Sequence, residues 1–286
     1  MGRTSTTDME RTCEVCLGQD FIFLFRLDHV PGSYSQCRRC GLVRVDETRA
    51  YDYTAEEYIE TLGRQAMSAD RLHQWTIKRI EQHHVPGTMV EVGCSTGTQL
   101  AVAKKHGWRV LGFDVNPDCP PIAWHLHRVE VRCENFLELQ ERSIADVILM
   151  SQLIDLVPDP RPFLQRSLHM LKLGGLVVLT AVNWNFAAPF AWMAAHLRTP
   201  IPTMDHFGRE HVRLYSPRTM HVLAEQLGWR VRAIYDNPTD YVGNRGIFSA
   251  RKLVGNAGRL VALATRQRHL IGMNMLVILE PLTPAG

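Results

Sequence analysis

Cys13-Glu-Val-Cys16 and Cys37-Arg-Arg-Cys40 are two cysteine pairs with twenty residues between them. Two intervening residues suit a tight turn that aims both sulfurs of a pair at one tetrahedral ion. Cys13, Cys16, Cys37 and Cys40 therefore read as the four ligands of a structural Zn2+. Gly18 and Gly41 follow closely, where such a turn calls for positive φ. A second group is Glu91-Val-Gly93-Cys94-Ser95-Thr96-Gly97. It ends an apolar run and opens a helical pattern, and its glycines let a ligand approach the backbone at a helix N-terminus. Asp114 ends the next apolar run, twenty-one residues after Gly93, where an acid suits ribose hydroxyls. A nicotinamide dinucleotide would call for G-x-G-x-x-G; Gly93-x-Ser95-x-x-Thr98 lacks it. A third group surrounds His211, in Glu210-His211-Val-Arg-Leu-Tyr215. Imidazole titrates near neutrality and suits proton transfer.

The elements that must position these groups follow from the bulk properties and the hydrophobic period. The chain has 286 residues, 45% hydrophobic and 21% charged, enough for one large domain and a small one. A segment of about forty residues buries too little apolar surface to fold alone, so a metal would supply what its core lacks. Three further cysteines, Cys94, Cys119 and Cys133, make the total odd. A disulfide framework fits poorly, and a reducing cytoplasm is the expected compartment. A net charge of +3 argues against a dedicated nucleic-acid binder. No apolar run is long enough to span a bilayer.

Residues 11–45 should form the ribbon, with strands in Phe21–Phe25 and Gly41–Val45. Four thiolates around one Zn2+ carry about −2, which Arg11, Arg38 and Arg39 can balance. Residues 46–87 should be a tyrosine-containing linker and a helix over 65–84, with Leu72, Thr76, Ile80 and His83 on one side. From residue 88 to 286, apolar runs at 88–93, 109–114, 128–133, 145–151 and 175–182 read as strands, with helices at 98–107 and 160–172. This alternation predicts an α/β fold with a doubly wound, parallel, Rossmann-like sheet. Ser216-Pro217 starts another helix, and strands at 229–235 and 273–280 complete the sheet. Trp184, Phe186, Phe190, Trp192 and Met193 fall in 183–215, expected to be a lid or pocket wall. Residues 247–269 should be an amphipathic helical insertion within an acid-free run from Tyr241 to Leu279. Its arginines could dock an acidic partner, or simply be a solvated face.

Segment 90–182 resembles the class I S-adenosylmethionine-dependent methyltransferases. Glu91 to Gly97 resembles their first motif, with Glu91 in the acidic position and Ser95 replacing the middle glycine. Asp114 matches the ribose-binding acid. Asn135-Phe136 matches the pair bordering the adenine. Asp146 to Pro160, which includes Ser151, matches the fourth motif, and Leu171-Lys-Leu-Gly-Gly175 the helix end after it. The resemblance implies S-adenosylmethionine as cofactor, bound by Tyr58, Glu91, Gly93, Cys94, Ser95, Thr96, Gly97, Asp114, Asn135, Phe136 and Ser151. With its cysteine pairs and tyrosines 51 to 58, the chain further resembles a subgroup that methylates natural products and, at carbon, nucleotide-linked deoxysugars. Two departures stand out: the sugar enzymes continue for over a hundred residues beyond the point matching 286, and many relatives have Glu-His at Asp155-Leu156.

With Leu156 unable to take a proton, His211 is the leading catalytic candidate, followed by Asp155 and Tyr53. The plainer readings are a histidine tying a loop, an aspartate capping a helix before Pro158, and a tyrosine packing between domains. The expected function is methyl transfer to a small-molecule intermediate, free or linked to a nucleotide or carrier protein. An RNA or protein methyltransferase whose ribbon reads the macromolecule is the alternative, and a non-catalytic cofactor-binding module a third. The accepting atom, C, O or N, and the oligomeric state are not legible in these residues.

Overall fold

The computed structural model describes residues 12–27, 32–46, 70–197, 211–237 and 272–282. Tyr53, Tyr58, His206 and the 247–269 segment lie outside the described residues.

The N-terminal segment is a small antiparallel sheet of β1 (Phe21–Arg26), β2 (Ser33–Cys37) and β3 (Val43–Asp46). Each cysteine pair closes a turn. Leu17 N donates to Cys13 O at 2.9 Å, and Gly41 N to Cys37 O at 2.9 Å. Gly41 takes φ +84°, as expected, but in the first turn Leu17 takes the positive φ, +58°, in place of Gly18. Gly18 serves closeness instead: a Cβ there would lie 3.3 Å from Cys16 Sγ. Arg38 faces Asp20 at the surface, 3.7 Å away.

After α1 (Asp70–Ile80), whose Thr76, Ile77 and Ile80 are buried, the chain alternates. The order is β4 (Thr88–Val92), α2 (Thr98–Lys105), β5 (Arg109–Asp114), α3 (Cys119–His127), β6 (Val131–Cys133), β7 (Ala145–Ser151), α4 (Arg161–Met170) and β8 (Leu171–Val182). Then come α5 (Trp184–Leu197), β9 (Arg213–Leu214), α6 (Pro217–Gln226), β10 (Trp229–Asn237) and β11 (Asn274–Pro281). Ser216 caps α6, its Oγ accepting from Thr219 N.

The main sheet has the order β10-β11-β8-β7-β4-β5-β6. β4 to β8 pair in parallel, as the alternation predicts. The expectation of a wholly parallel sheet fails at β11, which runs antiparallel to both β8 and β10. Met275 to Leu279 are all buried, so β11 is an interior strand covered on both faces. An antiparallel neighbour needs no crossover helix. The order reverses between β4 and β7, and ligands in open α/β sheets bind outside the strand ends at such a point.

The segment expected to be a lid or pocket wall begins with α5, and residues 198–210 of it lie outside the described residues. Trp184, Ala187, Ala191 and Ala194 pack against Phe25, Leu27, Tyr34, Val43 and Val45 of the ribbon. Trp184 stacks on Phe25 and Tyr34 with ring centroids 6.4 Å apart in each case. One helix face is thus spent joining the ribbon to the sheet, while Phe190, Trp192 and Met193 remain exposed on the other.

Candidate active site

The turn after β4 takes its shape from φ values that few side chains tolerate: +68° at Gly93, +49° at Ser95 and +70° at Gly97. A Cβ on Gly97 would meet Val129 Cγ2 at 2.7 Å. A side chain there is excluded twice, by sterics and by backbone conformation. Asp114, at the end of β5, braces the turn: its Oδ2 accepts from Ser95 N at 2.8 Å and its Oδ1 from Asn116 N at 2.9 Å. Beside it opens a cavity of about 220 Å³. The expected site residues Gly93, Asp114, Asn135, Phe136 and Ser151 line it. Ser151 Oγ donates to Gln99 Oε1 at 3.1 Å. Asn135 caps the short turn after β6 through Leu137 N, and Phe136 stacks on Phe163 at 6.2 Å.

Glu91 lies within the sheet, 3% exposed, and its Oε2 has no hydrogen-bond partner among the described residues. Burial pushes its carboxyl up to about 8, the neighbouring Asp114 adds to the rise, and Ser151 opposes it. A buried, orphaned carboxylate oxygen is costly unless a cation or donor comes to it. S-adenosylmethionine carries a sulfonium and an ammonium, so the neighbouring Glu91 and Asp114 carboxyls fit that cofactor. The side chains of Cys94 and Thr96, in the same turn, are both buried. The Cys94 thiol packs inward with Leu100, Cys119 and Val131, and burial raises its pKa well above the ordinary value. Thr96 is buried and its hydroxyl pairs with that of Thr98 at 3.0 Å.

Across the cavity, the turn after β7 supplies Leu153, Leu156 and Val157, and α4 supplies Phe163. Leu156 thus lines the cavity where many relatives in the resemblance carry an imidazole. The sequence reading missed Leu153, Val157, Phe163 and Glu134; Leu153 and Val157 lay inside the matched fourth motif and Glu134 beside Asn135, while Phe163 had no motif to point to it. Asp155 stands in the same turn with its side chain wholly buried. His211, fifty-six residues later, meets it: Nδ1 lies 3.4 Å from Asp155 Oδ2. The same oxygen accepts from Val182 N at 2.8 Å, at the end of β8. Burial raises the Asp155 carboxyl above its usual range, opposed by His211 and the Val182 amide. Asp155 is therefore no helix cap. Neither Asp155 nor His211 is among the cavity-lining residues, and His211 is 8% exposed. Tyr215 hydroxyl donates to Ile154 O at 3.2 Å from full burial, which keeps that phenol un-ionised.

The four ribbon cysteines are all buried, and their sulfurs lie within 4.8 Å of one another. Cys13 to Cys40 and Cys16 to Cys37 are 3.5 Å apart, and all four are free thiols. A tetrahedral ion with bonds of about 2.3 Å would hold sulfurs about 3.8 Å apart. The spacing therefore suits a metal and is far beyond a disulfide bond. A hydrogen bond from Cys40 pulls Cys13 down to about 5, while burial pushes Cys16 up to about 11. Without a cation the cluster cannot hold four thiolates at once. The cysteines pack in one core with Tyr215, Met220 and Leu223, and Thr219 hydroxyl donates to Cys40 O at 3.2 Å.

A Rossmann-like sheet with an acidic, glycine-turned ligand site at its switch point defines the class of S-adenosylmethionine-dependent methyltransferases. The family model for a methyltransferase domain matches residues 60–234, and the chain belongs to that family. Among curated proteins, it is 28% identical over 140 residues to a ubiquinone biosynthesis O-methyltransferase of Bradyrhizobium sp. (strain ORS 278), covering 46% of this chain and 49% of the relative. A protein with the same name from Hydrogenovibrio crunogenus is 24% identical over 152 residues, with 49% and 61% covered. The chain spans about half the length of the first of these relatives. Among solved structures it is similar to a Thermotoga maritima methyltransferase described as a possible histamine N-methyltransferase. The TM-score is 0.54 at 15% identity, with 80% of this chain and 97% of the other covered. The [4+2]-cyclase SpnF is similar at TM-score 0.51 and 20% identity, with 76% and 82% covered. At those identities the likeness is one of fold.

Proposed function

We propose that the protein transfers a methyl group from S-adenosylmethionine to a small-molecule biosynthetic intermediate. The observation that carries the reading is the cavity lined by Gly93, Asp114 and Ser151, with the buried Glu91 carboxyl close enough to interact with both Asp114 and Ser151. Glu91 would face the cationic end of the cofactor and Asp114 its ribose. Phe136 would border the adenine, and the backbone from Gly93 to Gly97 would approach its amino-acid end. Bound S-adenosylmethionine supplies an electrophilic sulfonium methyl; the chain supplies alignment and a base. In this reading His211 takes the proton of the acceptor, and the buried Asp155 stabilises the imidazolium that forms. The apolar wall of Leu153, Leu156, Val157 and Phe163 favours an acceptor with an apolar part. A nucleotide or carrier protein as its handle remains part of the proposal, as does a structural Zn2+ on Cys13, Cys16, Cys37 and Cys40.

The burial of His211 favours a second role for that residue, a tie between its segment and the turn after β7. Two measurements test the reading. Calorimetry should find S-adenosylmethionine binding and no binding of NAD. A panel of phenols, amines and nucleotide sugars, followed by S-adenosylhomocysteine release, should give turnover that His211→Ala lowers. No cofactor binding would end the proposal; turnover unchanged in His211→Ala would leave only the tie.

A further inference from the structure

The ribbon sheet is not closed by its own residues. Its fourth strand is β9, from the far end of the chain, with Val43 opposite Leu214 and Arg44 opposite Arg213. Val45 N donates to Val212 O at 3.0 Å. The same two β9-side residues grip the turn after β7: Val212 N and Arg213 N both donate to Asp155 O, at 2.8 and 3.0 Å. The Arg213 side chain then spans the junction. Its Nε donates to Pro158 O at 3.1 Å, one Nη to Val212 O at 2.9 Å, and the other forms an ion pair with Glu14. Glu14 sits between Cys13 and Cys16. Both side chains are largely buried, at 12% and 15% exposure.

We propose that the Glu14–Arg213 ion pair is a positioning device that couples the first cysteine turn to the cavity wall. One end is held by the cysteine cluster. The other holds the backbone of Asp155 and Pro158, between which Leu156 and Val157 line the cavity, and the start of the strand that follows His211. A guanidinium is suited to this, because its planar fork bonds several acceptors in fixed directions. Neither residue touches the cavity, so Arg213 acts through the turn and not on a ligand. The inference rests on the proposed function for its meaning, but its test needs no acceptor.

Hydrogen exchange read by mass spectrometry on the metal-loaded full chain decides it. In Glu14→Gln, which keeps the shape and removes the charge, peptides covering 153–158 and 211–215 should exchange at least about tenfold faster. Peptides of β4 and β7 should keep their rates, S-adenosylmethionine affinity should stay within about twofold, and metal content should not change. Arg213→Lys should be less affected than Arg213→Ala, since it keeps the charge and loses the fork. Exchange at 153–158 within about twofold of the parent in Glu14→Gln would overturn the proposal. So would acceleration spread equally over β4 and β7, because the pair would then contribute to global stability alone. If Arg213→Ala does not fold, Glu14→Gln and Arg213→Lys still decide. Failure of the parent chain to bind S-adenosylmethionine would sink the proposed function and leave the exchange result standing.

Discussion

Two regions beside the cavity, an acidic end and an Asp155–His211 end, are built in opposite ways. The acidic end takes Glu91, Gly93, Gly97 and Asp114 from two neighbouring strands and the turn after the first of them. Its hydrogen bonds, such as Ser95 N to Asp114, span about twenty residues of chain. The other end joins a turn after β7, an amide of β8, a segment after residue 210 and a ribbon from the N-terminus. A short-range site depends on a few backbone conformations. A long-range one depends on every body that meets there. The acidic end should therefore tolerate damage to the ribbon, and the Asp155–His211 end should not.

The largest test of that contrast removes the metal or one of its ligands. Structural zinc contributes apparent folding energies of about 10–16 kcal/mol in small domains. Chelation or Cys16→Ser should release close to one zinc per chain and expose the amides of Val212 and Arg213. S-adenosylmethionine affinity by calorimetry should fall less than about threefold. Equal collapse at both ends would break the comparison, and a metal content near zero in folded protein would remove its premise.

Next in size is His211→Ala. A general base contributes about 10²–10⁴-fold to turnover, so kcat should drop by that order with little change in cofactor affinity. A fall in affinity with kcat preserved would move His211 to the structural side. Asp114→Ala should do the converse. Losing acceptors to two ribose hydroxyls costs roughly 1.5–3 kcal/mol of binding if both bonds reach the charged carboxylate. The loss of the braces to Ser95 and Asn116 adds to it. Calorimetry reads the change, and unchanged affinity would place the cofactor elsewhere.

The last test is a pH dependence at Glu91. Its carboxyl is raised in the folded protein from 4.5 to about 8. The folded state keeps this proton while the unfolded chain releases it. The associated stability is complete below about 4.5 and is lost as pH rises toward about 8. Glu91→Gln has no such proton to lose. Its Tm without cofactor should match the parent near pH 4 and clearly exceed it near pH 8. The same variant should bind S-adenosylmethionine more weakly, since the amide offers the cation no charge. A Tm difference that does not grow with pH would contradict the buried, unpartnered state of Oε2.

Much of the acidic end was legible because its information is local. The glycine turn and the acid at the end of the next strand each follow from chain geometry within a few residues, while the Asn135-Phe136 pair was marked by the resemblance alone. The Asp155–His211 end was legible only as two separate candidates. Asp155 before Pro158 offers the same local pattern as a helix cap, and nothing near it announces a histidine fifty-six residues on. Arg213 and Glu14 carried no signal at all, since one charged residue in a strand and one in a turn look like ordinary surface. The strand Ser33-Tyr-Ser-Gln-Cys37 was likewise invisible, because its pairing comes from neighbours and not from apolar alternation.

By itself, then, the sequence determined what short-range physics controls. Cysteine spacing set the two turns, φ-permissive residues set the loop, and the alternation of apolar runs with helical stretches set the parallel half of the sheet. Tertiary structure decided the rest. It put β11 antiparallel in the interior and set one face of α5 against the ribbon. It also brought His211 to Asp155 through a strand shared with the ribbon. Those outcomes depend on which apolar faces cover one another and on which buried charges find partners. Such choices are made between segments far apart in the chain, where spacing along it carries no information.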